Sequence, residues 1–330
     1  MYLTPECEIY IQSRKTYLIT KFQRIKITLS RSLPCDLAEI TLPKLDSLKL
    51  FSEDDEVKII LANNLKKVVY AGYISELSPT DEPVIKCEDY SKILKQKRNK
   101  KSYFDTYDAI ARDIIQFCGF TPVIPESFGQ KRHFWWAFQT AWECLEELKK
   151  CGWDSYLIPA TKKIYFGRPY NCPQINPKIY YYEFGKNIIK SNLEYRTQNS
   201  VNKVLVYVTD SKFRGSSIKV EEGTGEPVGI YNLQMEFDPE NASSVNGAIG
   251  EAKKFARQKL SQSQTSGYTG SFTTFGNPEI THSMKLKIID PEKQERTGHY
   301  YIDEVIHTFS PDDGYKMEIT IGAREQGTIV

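Results

Sequence analysis

"GYISELSPTDEPVIKCE" at residues 72–88 and "YYIDEVIHTFSPDDGYKMEITIG" at residues 300–322 share one pattern. Tyr73-Ile74-Ser75-Glu76-Leu77 stands beside Tyr301-Ile302-Asp303-Glu304-Val305, and Ser78-Pro79-Thr80-Asp81 beside Ser310-Pro311-Asp312-Asp313. The later copy has four more residues between the two motifs. Each copy reads as strand, Ser-Pro turn, strand, because apolar segments bounded by turn formers describe a half-buried hairpin. A Lys-bearing apolar segment precedes each one, "EVKIIL" (56–61) and "MKLKII" (284–289). Two copies do not make a solenoid, which needs at least three stacked units. They predict two β-domains of related build, one at each end of the chain. The rival expectation is chance similarity between hairpins.

The 330 residues are enough for two or three packed domains of roughly 100 to 200 residues each. Hydrophobic residues make up 40% and charged ones 26%, so most of the chain should fold. Forty-four basic against 42 acidic side chains leave +2, too balanced to mark a nucleic-acid or membrane-surface binder by bulk charge. Seven scattered cysteines (7, 35, 87, 118, 144, 151 and 172) with no CxxC pair argue against a disulfide framework or zinc knuckle. They fit a reducing place of assembly, with Cys144 and Cys151 on one helical face as small apolar side chains. There is no charged-then-apolar leader at "MYLTPECEIY" and no apolar run of 18 residues. A soluble protein not exported by a classical signal is expected.

The first ninety residues read mainly as strands. "RIKITLS" alternates Ile25, Ile27 and Leu29 against Lys26 and Thr28, and residues 56–77 form a hairpin around Asn63-Asn64. The basic run in "SKILKQKRNKK" (91–101) reads as a solvated helix end and loop, with a phosphate-contacting patch as the minor reading. Residues 103–152 turn helical. "DTYDAIARDIIQFCG" offers Asp105 as N-cap and Gly119 as stop, with Ile110, Ile114 and Phe117 on one face. "TAWECLEELKKCG" adds a Thr140/Glu143 capping box, an inward stripe of Ala141, Cys144, Leu145, Leu148 and Cys151, and Gly152 as stop. "WDSYLIPATKKIYFG" follows as two short strands. From residue 178 strands resume, interrupted by one helix near 243–260 with Val245, Ala248, Ala252, Phe255, Ala256 and Leu260 at helical spacing. "IDPEKQERTG" (289–298) reads as a long polar hairpin tip.

No catalytic motif survives inspection: GxSxG, HExxH, GxxxxGK[ST] and kinase-type loops are all missing. "GTGEPVG" (223–229) sits between strand-like segments and reads as a turn. His299 and His307 lie in one strand, about 26 Å apart at ~3.3 Å per residue, and cannot share a metal. His282 and His299 could meet across a hairpin, a weak zinc case without a placed carboxylate, and His133 stands alone. The acidic clusters "EDDE" (53–56) and "DD" (312–313) fall in turns, where Asp side chains bond their own backbone. A glycosidase pair would need a defined gap across a cleft. No catalytic, cofactor-binding or metal-binding residue is assigned, and no cofactor is implied. In "RHFWWAF" (132–138), Trp135 and Trp136 must point to opposite faces of a strand. The reading is core or subunit interface; the alternative is a carbohydrate-binding aromatic patch.

"YEFGKNIIKSNLEYR" (182–196), "GYTGSFTTFGNPEITHSMKLKI" (267–288) and "GHYYIDEVIHTFSPDDGYKMEITIG" (298–322) resemble the phage late control protein D family, the Mu-like tail or baseplate hub. "TAWECLEELKKCGWDSYLIPATKKIYFGRPY" (140–170) also fits its helix-then-hairpin piece. The resemblance implies a mainly β fold with α+β insertions: a first β-barrel tube domain at 1–92, an α+β insert at 93–177, and a second barrel with one inserted helix at 178–330. It implies a structural, non-enzymatic hub: a homotrimeric ring with a central channel, adapting a sixfold tail tube to a threefold spike. The implied partners are a second and third copy, the tail tube protein, a trimeric spike and other baseplate proteins. Membrane insertion and sequence-specific nucleic-acid binding are not implied. The implied place is the virion tail or baseplate of a phage, or a related contractile injection system, assembled in the bacterial cytoplasm.

Overall fold

The computed structural model describes residues 5–63, 65–127, 131–150, 152–175, 177–196, 203–210, 217–224, 227–235, 237–263 and 267–325. The chain opens with β1 (Glu6–Gln12), β2 (Thr16–Ile19), β3 (Arg24–Ser30), β4 (Leu37–Thr41), β5 (Glu56–Ala62), β6 (Lys66–Ser78) and β7 (Val84–Asp89). It continues through α1 (Lys92–Gln96), β8 (Arg98–Thr106), α2 (Tyr107–Phe117), β9 (Thr121–Val123), β10 (Lys131–Thr140), α3 (Ala141–Lys149), β11 (Asp154–Leu157) and β12 (Lys163–Gly167). Then come β13 (Tyr180–Glu183), β14 (Ile188–Ser191), β15 (Glu194–Arg196), β16 (Lys203–Asp210), β17 (Ser217–Gly223), β18 (Pro227–Met235) and α4 (Ala242–Ser263). The chain closes with β19 (Gly267–Phe275), β20 (Lys285–Ile289), β21 (Gly298–Ser310) and β22 (Gly314–Arg324).

Both ends of the chain belong to one 14-stranded sheet, ordered β14-β19-β22-β21-β3-β4-β7-β6-β5-β1-β2, with β20 on β21, β13 on β20 and β15 on β19. Its pairings are antiparallel except β13 with β20. One face encloses a single apolar core drawn from both ends. Ile25, Ile27 and Leu29 meet Ile302, Val305 and Ile319 there, each at most 2% exposed. The alternation that makes these strands is therefore the alternation that buries them.

Two closed barrels are expected from the resemblance, and the strand pairing differs. Among the described residues no ladder closes either end into a ring. β3, which would have to meet β2 to close the first curl, bonds β21 of the second instead, from Ile25↔Phe309 to Ser30↔Glu304. In the second curl β13 and β14 touch through the isolated bridge Phe184↔Ile188 rather than a ladder.

The repeated hairpin recurs in register. In the first copy Glu56 faces Tyr73 and Val57 faces Gly72; in the second Lys285 faces Tyr301 and Leu286 faces Tyr300. Ile74 faces Cys87 and Glu76 faces Lys86, while Ile302 faces Ile321 and Glu304 faces Thr320. Ser75 and Asp303 are thus the extra residue of a β-bulge at the same place in the motif. Asp54 N and Asp55 O bond Ile74 just as Ser283 N and Met284 O bond Ile302. Asp54 and Ser283 even share a left-handed backbone, φ 67° and 63°. The Tyr-Ile-x-Glu signature encodes a bulged strand whose first half pairs forward and whose second half is turned toward a new neighbour.

Between the ends, residues 92–167 carry their own core of α1, α2, α3 and the short sheets β8–β10 and β9-β12-β11. Thr140 and Glu143 form the expected reciprocal cap. Ala141, Cys144, Leu145 and Leu148 are buried. Cys151 lies outside the described residues, as does Asn64 of the Asn63-Asn64 turn. Gly119 and Gly152 take φ of 86° and 92° just past α2 and α3, which suits glycine. Asp105 is not the N-cap of α2: that place falls to Thr106, whose side chain makes no capping bond, while Asp105 lies within β8. The basic run is not a loop either. From Arg98 it is a strand, because β10 supplies a partner that its own polar sequence does not announce.

A third core joins α4 to β17-β16-β18 through Val206, Val208, Val220, Ala252 and Ala256. The predicted helix is thus half of a small α/β unit rather than a lone insertion. The polar tip at 289–298 is anchored: the Asp290 carboxylate accepts from Tyr268 Oη (2.5 Å) and from the backbone of Lys293 (3.0 Å) and Glu292 (3.1 Å).

Candidate functional site

Three features stand out: a polar junction under the insert, the exposed face of the β8–β10 ribbon, and the seam where β3 meets β21. The junction grows from the second bulge. Asp303 projects from it and accepts from Tyr170 Oη (2.6 Å) and Arg31 Nε (3.2 Å). Arg31 also reaches Asp154 at 3.1 Å and lies 4.2 Å over the Tyr170 ring, which stacks on Tyr301 at 4.1 Å. Gly322 is required beside it, since a Cβ there would collide with Asp303 Oδ1 and Tyr170 Oη. Burial pushes the Asp154 carboxyl up, opposed by Arg31 and Lys149. Burial works against the Arg31 charge, but Asp154, Tyr170 and Asp303 outweigh it and hold the guanidinium protonated. One cation thereby ties the end of β3, the insert hairpin and β21 together. The sequence singled out Asp303 only as the variable position of the motif, and nothing marked Arg31, Asp154 or Tyr170.

On the ribbon, strand alternation divides the aromatic run. Phe134 and Trp136 are buried, and Trp136 Nε1 donates to the Gln139 carbonyl at 2.8 Å. Trp135 and Phe138 are 64% and 62% exposed. Trp135 and Trp136 therefore cannot form one platform. The outward row is His133 tilted against Phe104 (4.6 Å), Trp135 and Phe138, with Lys131 and Lys100 each 5.8 Å over a ring. Arg98 of the basic run bonds the Phe138 carbonyl across the ribbon (2.7 Å), and Lys101 ties the ribbon to Asp113 of α2 (2.8 Å).

Two of the four histidines, His282 and His307, are buried. Burial pushes His282 and His307 down to about 3, so both are neutral. His307 Nε2 donates to the Ile280 carbonyl (3.2 Å), which leaves Nδ1 to accept from Tyr315 Oη (2.8 Å). No group of three His, Cys, Asp or Glu side chains suited to a metal occurs among the described residues. Burial raises the thiols too, Cys118 to about 11 and Cys35 and Cys144 to about 12, so they stay protonated and inert. At the second acidic cluster the turn is held by Ser310 Oγ accepting from Asp313 N (2.9 Å), while the Asp313 carboxylate lies 3.8 Å from Lys316. At the first, Asp55 accepts from Ser52 N (2.8 Å). A cleft of about 670 Å³ on the outer face of β1, β5 and β6 holds Glu56 and Lys58 and no facing pair of carboxylates.

No protein-family model matches the sequence, and neither does any curated protein. Solved structures do. A tail protein from Neisseria meningitidis MC58 aligns over 98% of this chain and 97% of its own, with a TM-score of 0.69 at 13% identity. The fold is that of phage tail proteins. The 43 kDa tail protein of prophage MuSo2 from Shewanella oneidensis aligns over 96% of this chain and 98% of its own (TM-score 0.63, 16% identity). An E. coli component of the type VI secretion system, described as similar to the T4 bacteriophage tail proteins gp27 and gp5, covers 96% of this chain and 77% of its own (TM-score 0.62, 10% identity). No helix of the described residues is long and apolar enough to cross a membrane.

Proposed function

We propose that this chain is a structural hub of a phage tail baseplate or of a phage-tail-like contractile injection apparatus. Three copies form a ring around a channel, matching a sixfold tail tube above to a threefold spike below. The supporting observation is the hairpin repeated in identical register at both ends, in a fold shared over nearly the full length with tail proteins. Two related units per chain let three chains present six similar faces, and a head-to-tail contact between chains closes into a ring when the rotation permits. On this reading residues 1–92 and 178–330 are the tube domains and 93–177 the insert, with the α4 unit as a further appendage. Tube, spike and baseplate proteins are its partners, the tail or baseplate its place, and its role carries no catalysis.

Light scattering of the native protein, followed by imaging, tests this: the expected mass is three chains, and a monomer at all concentrations refutes it. A second reading has one observation in its favour, the outward row of Phe104, Trp135 and Phe138. A carbohydrate-binding surface there predicts quenching of tryptophan fluorescence by glycans, abolished by Trp135→Ala, whereas the hub reading predicts no response.

A further inference from the structure

The seam between β3 and β21 contains the instructions for a second one. β21 carries β22 on one side along its length. On the other side it carries β20 as far as Tyr301 and, past the Asp303 bulge, β3 from Glu304 to Phe309. β6 is built alike: β7 on one side, and on the other β5 as far as Tyr73. Past the Ser75 bulge, however, Glu76–Ser78 has no strand on that side among the described residues.

The counterpart of β3 is also identifiable. Ile25 and Thr28 face Ile40 and Leu37 of β4, and Ser191 and Glu194 face Phe272 and Thr269 of β19. β4 and β19 in turn hold matching places on β7 and β22, Ala38 on Cys87 and Gly270 on Ile321. β14 and β15 together thus stand where β3 stands, and their outer edge carries no ladder among the described residues. Carrying the internal pair Glu304↔Ser30 over to these counterparts sets Glu76 opposite Arg196, and Val305↔Leu29 becomes Leu77 opposite Tyr195. Val305 and Leu29 are 0% and 2% exposed in the closed seam, whereas Leu77 and Tyr195 are only half-buried, and Ile189 on the same edge is 49% exposed. Glu76 and Arg196 are of opposite charge. Unpaired strand edges of this kind are otherwise an aggregation hazard.

We infer that the β14–β15 edge of one chain adds, antiparallel, to the Glu76–Ser78 edge of β6 in a second copy, repeating between chains the seam that β3 and β21 make within one. The inference rests on the ring reading above and names its contact. It is the shorter seam, because β6 ends three residues past its bulge and β21 seven past its own.

The test uses the full chain with Glu76→Cys and Arg196→Cys together, oxidised and run on a non-reducing gel beside each single variant. The expected result is covalent multimers in the double variant far above either single one, with light-scattering mass unchanged before oxidation. Glu76→Arg should raise the concentration for half-assembly several-fold, and Arg196→Glu in the same chain should restore it. Both positions are exposed, so circular dichroism should not change. Rings that form without the 76–196 cross-link overturn this contact and leave the ring reading standing. A chain that remains monomeric throughout overturns both.

Discussion

The two hairpins begin as the same object and diverge after their bulges. In the first, Ser75 turns its hydroxyl back to the Lys86 carbonyl (3.1 Å), and the strand stops at Ser78. In the second, Asp303 reaches outward to Arg31 and Tyr170, and the strand runs on to Ser310 before a three-residue turn closed by Gly314 at φ 73°. The four extra residues of the later copy, Ile306 to Phe309, all pair with β3. The two copies thus agree in their forward half, which builds its own sheet, and differ in the half that meets a neighbour. Sequence identity persists where the geometry is self-contained and is lost where it answers to something else.

The sharpest way to break this comparison is to remove the second copy's special partner. Arg31→Ala leaves buried Asp154 with only Lys149, 3.9 Å away, as counter-charge and should cost about 3 kcal/mol in urea unfolding. Ser75→Ala, at the matching bulge, should cost about 1 kcal/mol or less. Equal losses would mean the two bulges play one role. The shared half makes the opposite prediction. Ile74 and Ile302 are both fully buried, so Ile74→Ala and Ile302→Ala should each cost about 2–5 kcal/mol and agree within about 1 kcal/mol.

The floors of the two hairpins differ in charge. Asp36 and Asp89 are buried together, Asp36 N donating to Asp89 Oδ2 and Ser30 N to Asp36 Oδ1, both at 2.8 Å. At the place of Asp36 the second copy has Tyr268, whose N donates to Tyr300 Oη (3.0 Å). Burial, and for Asp36 also the charge of Asp89, raises both carboxyls, Asp89 to about 6. The folded state then holds protons that the unfolded chain releases near its ordinary value of 3.8, so this contribution to stability is full below that pH and is lost as pH rises toward about 6. Asp36→Asn keeps the acceptor for Ser30 N. It should stabilise the protein by about 1–2 kcal/mol at pH 7 and flatten the urea midpoint between pH 4 and 6. An unchanged pH profile would refute the coupling. The smallest effect concerns the shared left-handed residues. Asp54→Gly and Ser283→Gly should each gain up to about 1 kcal/mol in thermal unfolding, and losses at both would mean the conformation is not strained.

Much of this was legible before any coordinates. Ile25-Ile27-Leu29 announced their buried face by period two, and Thr140/Glu143 announced the start of α3, because each signal is local. The β8 strand was not legible, since only Tyr103 of its nine residues is buried and its partner lies a helix away. Closure, which the resemblance implied, is not legible for a related reason: whether β3 pairs with β2 or with β21 depends on which edge reaches it. The polar junction escaped entirely, because Arg31, Asp154, Tyr170 and Asp303 come from distant segments with no common spacing.

The internal seam has a counting consequence. Because β3 and β21 are joined through one polypeptide, the two related units are never separate parts awaiting assembly. On the ring reading proposed above, a collar made by this chain grows by twos, and an odd number of such units is excluded.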